Sequence, residues 1–182
     1  FIYLFLFIYL FFMIWLLDGY NYLVKEINYD DEELPFVSII VAIKNEENNI
    51  LELVTSLINQ SYPKKLYEII ICNDRSTDQS FNIIKNFKDD CDNFRIINIK
   101  SLPYNWAGKK WALFNGIKQS KGEIILQTDA DCKISKKWIA SMVSQFADKS
   151  VGFVSSLTPL SSNNSFFNKI LSIDSMAQDA FI

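Results

Sequence analysis

Three observations predict the fold class of this chain: an α/β domain, a mostly parallel sheet flanked by helices in the Rossmann-like manner, preceded by one transmembrane helix. Short apolar runs alternate with helix-spaced segments, polar and acidic residues follow the apolar runs, and an uncharged apolar stretch opens the chain. That opening stretch, FIYLFLFIYLFFMIWLL from Phe1 to Leu17, is 17 residues without a polar face. It rises roughly 25 Å as a helix, against a hydrocarbon core of ~30 Å. No small-residue cleavage site follows, since Asp18-Gly19-Tyr20 comes next, so a membrane helix is expected over residues 1–18, truncated at its start. The chain begins with Phe and ends within AQDAFI, and both ends read as internal to a longer protein.

Residues 19–35 carry Glu26, Asp30, Asp31, Glu32 and Glu33 against Lys25 and close on Pro35, an acidic juxtamembrane linker. FVSIIVAI, from Phe36, is then a continuous apolar strand of the kind covered on both faces. Glu46 to Asn59 has Ile50, Leu53, Val54, Leu57 and Ile58 at helical spacing. YEIIIC is a second buried strand, and Ser76 to Phe87 a second soluble helix with Ser76-Thr77-Asp78 as its cap. FRIINI is the third strand, Gly108 to Ser120 a helix ended by Lys121-Gly122, and EIIL the fourth strand. Ser135 to Ala147 follows as a helix and VGFVSS as a fifth strand. The domain is expected over 36–160, with 161–182 beginning an acceptor-side or interface helix.

Net charge is −3, so no basic field invites nucleic acid, and no nucleic-acid partner is expected. Histidine is absent, which removes His-based triads and His metal sites. The three cysteines, Cys72, Cys91 and Cys132, have no CxxC spacing and read as small hydrophobes. Neither GxGxxG nor GxxxxGK[ST] occurs, which excludes the usual dinucleotide and P-loop phosphate cradles.

Polar residues gather after three of the strands: Asn45 and Glu46 after the first, Asn73 and Asp74 after the second, Asp129 and Asp131 after the fourth. Parallel sheets bind ligands beyond the carboxyl ends of their strands. Asp129 and Asp131 flank small Ala130 in QTDADC, and an extended segment directs both carboxylates the same way. Such a pair reads as a ligand set for Mg²⁺ or Mn²⁺ bridging to a diphosphate, or else as a solvated turn. With no glycine loop, the diphosphate needs a basic residue as well; Lys109 is the candidate, with a solvated surface lysine the alternative.

Together VSIIVAIKNEENNI, IIICNDRSTDQS, GKKWALFNGI and ILQTDADC resemble the family 2 glycosyltransferases with the GT-A fold. The resemblance implies a sheet whose second and fourth strands flank the first. It implies that Asp74 accepts from the nucleobase ring N–H, that backbone around Ala42 and Ile43 lines the base pocket, and that Asn45 and Glu46 shape the same edge or cap a helix. Lys109 would approach the diphosphate, Asp129 would sit near ribose or metal, and Asp131 would hold the metal. Asp78 is read as a helix cap. The implied activity is inverting sugar transfer from a nucleotide sugar to a glycan or lipid-linked acceptor of the cell envelope, on the cytoplasmic side of a membrane. The sequence departs from the family in Phe114, where many members have Asn, and in Ala42, a frequent Pro. The catalytic base of the family lies farther along than Ile182, so neither Asp174 nor Asp179 is assigned that role. A sugar nucleotidyltransferase and a non-catalytic nucleotide-sugar-binding module are the rival readings; KNEENN is neither glycine-rich nor basic enough for the first.

Overall fold

A computed structural model describes residues 2–23, 34–88 and 91–156. The elements in chain order are α1 (Ile2–Leu23), β1 (Val37–Ile43), α2 (Ile50–Ile58), β2 (Tyr67–Asp74), α3 (Ser80–Lys88), β3 (Phe94–Ile99), α4 (Gly108–Gln119), β4 (Ile124–Gln127) and α5 (Trp138–Ser144). The chain divides into two compact units, Phe1–Ala147 and Asp148–Ile182. Within the second, Asp148 folds a turn in which Ser150 donates both its N–H and its hydroxyl to the Asp148 carboxylate.

The four strands form one parallel sheet in the order β3-β2-β1-β4, so β2 and β4 flank β1 as the family resemblance implies. β1 and β2 are buried along nearly their whole length, which explains their largely apolar runs. Alternate residues feed two cores. Val37, Ile39, Val41 and Ile43 pack with Ile69 and Ile71 against Ile50, Leu53, Val54 and Leu57 of α2 and against Ile84 of α3 and Ile139 of α5. Ile40, Ile70, Cys72 and Ile99 turn to the other face and meet Ala112 of α4. There α4 lies close to the sheet: a Cβ on Gly116 would come within 2.5 Å of Ile40 and 2.9 Å of the Cys72 sulfur.

The end of α4 is fastened to the start of the sheet by a buried polar cluster. Ser38 Oγ donates to Glu68 Oε1 at 2.8 Å, Arg95 donates to Glu68 Oε2 at 2.9 Å, and the Lys121 N–H donates to Glu68 Oε1 at 2.8 Å. Arg95 also donates to the Gln119 carbonyl at the end of α4. Burial alone would raise the Glu68 carboxyl, but the bonds from Ser38, Lys121 and Arg95 outweigh it and hold it below the usual carboxylate range.

Three expectations need correction. Among the described residues no helix is long and apolar enough to cross a membrane, so the transmembrane span expected over 1–18 is not supported. The uncharged part of α1, Ile2–Leu17, rises only about 24 Å, and Asp18 and Asn21 follow within the same helix. Along it the large apolar side chains from Tyr3 to Trp15 are exposed, Met13 alone being half-buried. Second, residues 151–156 form no ladder among the described residues and are not a strand, since strand composition needs a neighbour to pair its backbone groups. Third, the segment carrying Asp129, Asp131 and Cys132 is a turn beyond β4 and not extended, with the Cys132 N–H donating to the Asp129 carbonyl at 3.3 Å; the three cysteines are free thiols. Most of the acidic linker (24–33) and the segment 161–182, with Asp174 and Asp179, lie outside the described residues.

Because the folded pKa of Glu68 lies below its unfolded value, its contribution is present above about pH 4.3 and is lost as pH falls through the folded pKa. Glu68→Gln is expected to lower unfolding free energy at pH 7 by about 2 kcal/mol, and the gap to wild type to close on acidification. Denaturant titrations of both proteins at several pH values check this.

Candidate functional site

The carboxyl ends of β1, β2 and β4 open onto a cleft of about 310 Å³. Its walls are Ala42, Ile43, Lys44 and Glu46 from β1 and the turn after it, Asp74 from the end of β2, Lys109 from the first turn of α4, and Asp129, Ala130 and Asp131 from the loop after β4. Strand order explains the position. The chain leaves β1 toward β2 and β3 on one side and returns to β4 on the other, so its direction reverses at β1, where α/β sheets leave a crevice.

Seven residues expected at the site therefore share one cleft: Ala42, Ile43, Glu46, Asp74, Lys109, Asp129 and Asp131. Asn45 does not line it. It adopts φ 57°, its N–H donates to Ser76 Oγ at 3.1 Å, and its side-chain oxygen accepts from the Thr77 N–H at 2.8 Å. Asn45 thus ties the loop after β1 to the loop after β2. The Glu46 N–H donates to Ser80 Oγ at 2.7 Å, while the Glu46 carboxylate accepts from Asn49 at 2.9 Å just ahead of α2. Asp78 acts as the expected cap, accepting from the Ser80 N–H at 3.0 Å, and also accepts from the Glu47 N–H at 3.1 Å. Desolvation works against its charge, but the bonds from Ser80 and the Glu47 N–H together prevail and hold its carboxyl below the usual range.

Asp74 is buried, with only 2% of its surface exposed. A buried carboxylate needs a partner, and the next residue supplies one: Arg75 brings Nε to 2.8 Å and a terminal guanidinium nitrogen to 2.7 Å of the same oxygen, Oδ1. This fold-back uses a left-handed backbone at Arg75, φ 55°. The other oxygen, Oδ2, faces Gly108, where an added Cβ would stand 2.2 Å away. Only glycine fits there, and the N-terminus of α4 consequently reaches the carboxylate, a favourable end of the helix dipole for an anion.

Across the cleft Lys109 Nζ meets Asp129 Oδ1 at 2.7 Å, with both side chains about half exposed. Exposed pairs of this kind contribute at most ~1 kcal/mol, so a phosphate or cation can separate them at little cost. Asp131 is exposed and has no hydrogen-bond or ion-pair partner among the described residues. Asp129 and Asp131 supply hard oxygen donors. Among the described residues no group of three or more His, Cys, Asp or Glu side chains could hold a metal, so further ligands would come from substrate or water.

Lys44, Ala130 and Arg75 were not singled out by sequence reasoning. Lys44 and Ala130 adjoin residues that were, and a base next to the acid closing a strand was the available signal for Arg75.

A family model described as Glycosyl transferase family 2 matches residues 38–177. Glycosyltransferase AglE of Haloferax volcanii is 31% identical over 121 residues, covering 66% of this chain and 38% of that protein. The beta-monoglucosyldiacylglycerol synthase of Nostoc sp. is 36% identical over 121 residues, covering 66% of this chain and 25% of that protein. The chain thus spans between a quarter and two fifths of the length of these relatives. Among solved structures, Staphylococcus aureus TarS 1–349 in complex with UDP-GlcNAc matches with a TM-score of 0.52 at 28% identity, over 62% of this chain and 31% of that one. Its parallel α/β sheet is of the GT-A kind, and with the family model spanning well over half of its residues the chain belongs to glycosyl transferase family 2.

Proposed function

We propose that this chain is the donor-binding part of an inverting, metal-assisted glycosyltransferase that moves a sugar from a nucleoside-diphosphate sugar to an acceptor hydroxyl. The observation that carries the reading is the convergence of Asp74, Lys109, Asp129 and Asp131 on one cleft at the ends of parallel strands. Support also comes from the relative TarS, whose structure holds UDP-GlcNAc. Asp74 accepts a hydrogen bond from the nucleobase, against a wall formed by the β1 end at Ala42 and Ile43. Lys109 leaves Asp129 to donate to phosphate oxygens. Asp129 and Asp131 hold Mg²⁺ or Mn²⁺, whose hard-oxygen preference their carboxylates fit. When bound, the cation supplies positive charge against the negative charge that gathers on the departing diphosphate. A carboxylate outside the described residues deprotonates a glycan or lipid-linked acceptor.

The same reading puts the domain at a membrane, on its cytoplasmic side, where nucleotide sugars are found. α1 supports this through its uncharged, exposed aromatic and aliphatic surface, which is suited to burial at the acyl boundary.

Asp131→Ala is expected to weaken Mn²⁺-dependent binding of a nucleoside diphosphate roughly ten- to a thousand-fold and to remove the cation dependence. Asp74→Asn should weaken binding while leaving that dependence in place. Calorimetry with and without Mn²⁺ checks both, and an affinity insensitive to Asp131 and cation alike overturns the metal assignment. In vesicle flotation, the whole chain should rise with lipid and a chain starting at Asp18 should stay below; equal behaviour removes α1 from any membrane role.

A further inference from the structure

We propose that Arg75 selects the nucleobase: by occupying one oxygen of Asp74 it leaves the cleft a single carboxylate acceptor, which suits uracil or thymine and disfavours guanine. This rests on the reading of the cleft as a nucleoside-diphosphate-sugar site.

A free carboxylate offers two oxygens and about four lone-pair positions, enough to accept two parallel donors side by side. Guanine presents such a pair, its ring N1–H and the neighbouring exocyclic amino group. Uracil and thymine present one ring N–H between two carbonyls. Cytosine and adenine present a bare ring nitrogen at the corresponding place and offer this acid no ring proton. In this chain Oδ1 already accepts the Arg75 Nε–H at 2.8 Å and lies 2.7 Å from a terminal guanidinium nitrogen in an ion pair, so the cation occupies this oxygen. Oδ2 has no partner among the described residues. No buried side-chain oxygen or nitrogen there lacks a hydrogen bond, so Oδ2 is not sealed from the cleft that Asp74 lines.

The pairing is held from several sides. Asp74 is fixed by its strand register against Ile99, Arg75 by its left-handed backbone, and both by Gly108, whose missing Cβ would lie 2.2 Å from Oδ2 and 3.0 Å from the guanidinium. Rotating the carboxylate to offer both oxygens therefore means breaking a charge-assisted hydrogen bond and an ion pair at a buried carboxylate. A guanine ring could use Oδ2 for one donor, but its second would face an oxygen already occupied by the Arg75 guanidinium. Leaving a donor unpaired in a desolvated site is the means by which hydrogen-bonding pockets discriminate most strongly.

The test is a nucleotide series on the full chain with Mn²⁺ present: UDP, dTDP, GDP, CDP and ADP, measured by calorimetry. UDP and dTDP are expected to bind within a few-fold of each other, at least ten-fold tighter than GDP, with CDP and ADP weaker than UDP. Arg75→Asn, chosen because Asn tolerates the left-handed backbone, should reduce the UDP:GDP preference to about three-fold or less by freeing Oδ1, and Arg75→Lys should fall between. Circular dichroism confirms that each variant is folded; if Arg75→Asn is not, the wild-type series and Arg75→Lys decide. GDP binding as tightly as UDP to the wild type overturns the proposal, as does a preference unchanged in folded Arg75 variants. Failure of every nucleotide to bind overturns instead the reading of the cleft on which the proposal rests.

Discussion

A strand, crossover and parallel strand turn to the right, because a right-twisted strand feeding a right-handed helix packs back onto the sheet only that way. Every functional side chain in this domain is placed by that handedness. The first two crossovers run outward from β1, through β2 to β3, and lay α2 and α3 on one face. The third runs back past β1 to β4, and the same hand puts α4 on the opposite face. The reversal opens the sheet's edge between β1 and β4. It also brings the first turn of α4 over the end of β2 while the loop after β4 arrives from the far side.

α4 then lies between two ionised side chains of the strands beneath it. Asp74 stands at its N-terminus and the guanidinium of Arg95 at its last carbonyls, so the charges oppose the helix dipole at both ends. Such contacts are each worth ~0.3–1 kcal/mol. The glycines decide whether they can form, because Gly116 lets the helix axis approach the sheet and Gly108 lets its first turn approach the acid.

Much of the sheet could be read from the sequence because buried parallel strands announce themselves: VSIIVAI, YEIIIC and FRIINI are predominantly apolar, and their bounds hold within a residue or two. The cleft was legible for a related reason, since polar residues directly after such runs must lie at one edge. What escaped had its cause in long-range contact. The Ser38–Glu68–Arg95 cluster joins residues scattered over three strands, and nothing local marks Glu68 as buried. Asn45 has the composition of a site residue but uses its side chain between loops, a choice made by a partner 32 positions away. Arg75 carries no periodic signal, and only the positive φ shows that it folds back on its neighbour. VGFVSS has strand composition without a paired strand among the described residues, and α1 has membrane composition although no described helix is both long and apolar enough to span.

The loops after β1 and β2 hold one another's main chain: Asn45 and Glu47 accept from the N–H groups of Thr77 and Gln79, while Ser76, Asp78 and Ser80 accept from those of Asn45, Glu47 and Glu46. Each partner is set in register, so neither loop can gain or lose a residue without stripping bonds from the other. The constraint falls on the loops at 44–49 and 75–79 alone, and the connection between α2 and β2 takes no part in it. The connection from β3 to α4 also lies outside this reciprocal lattice, so an insertion there strips no bond from either loop.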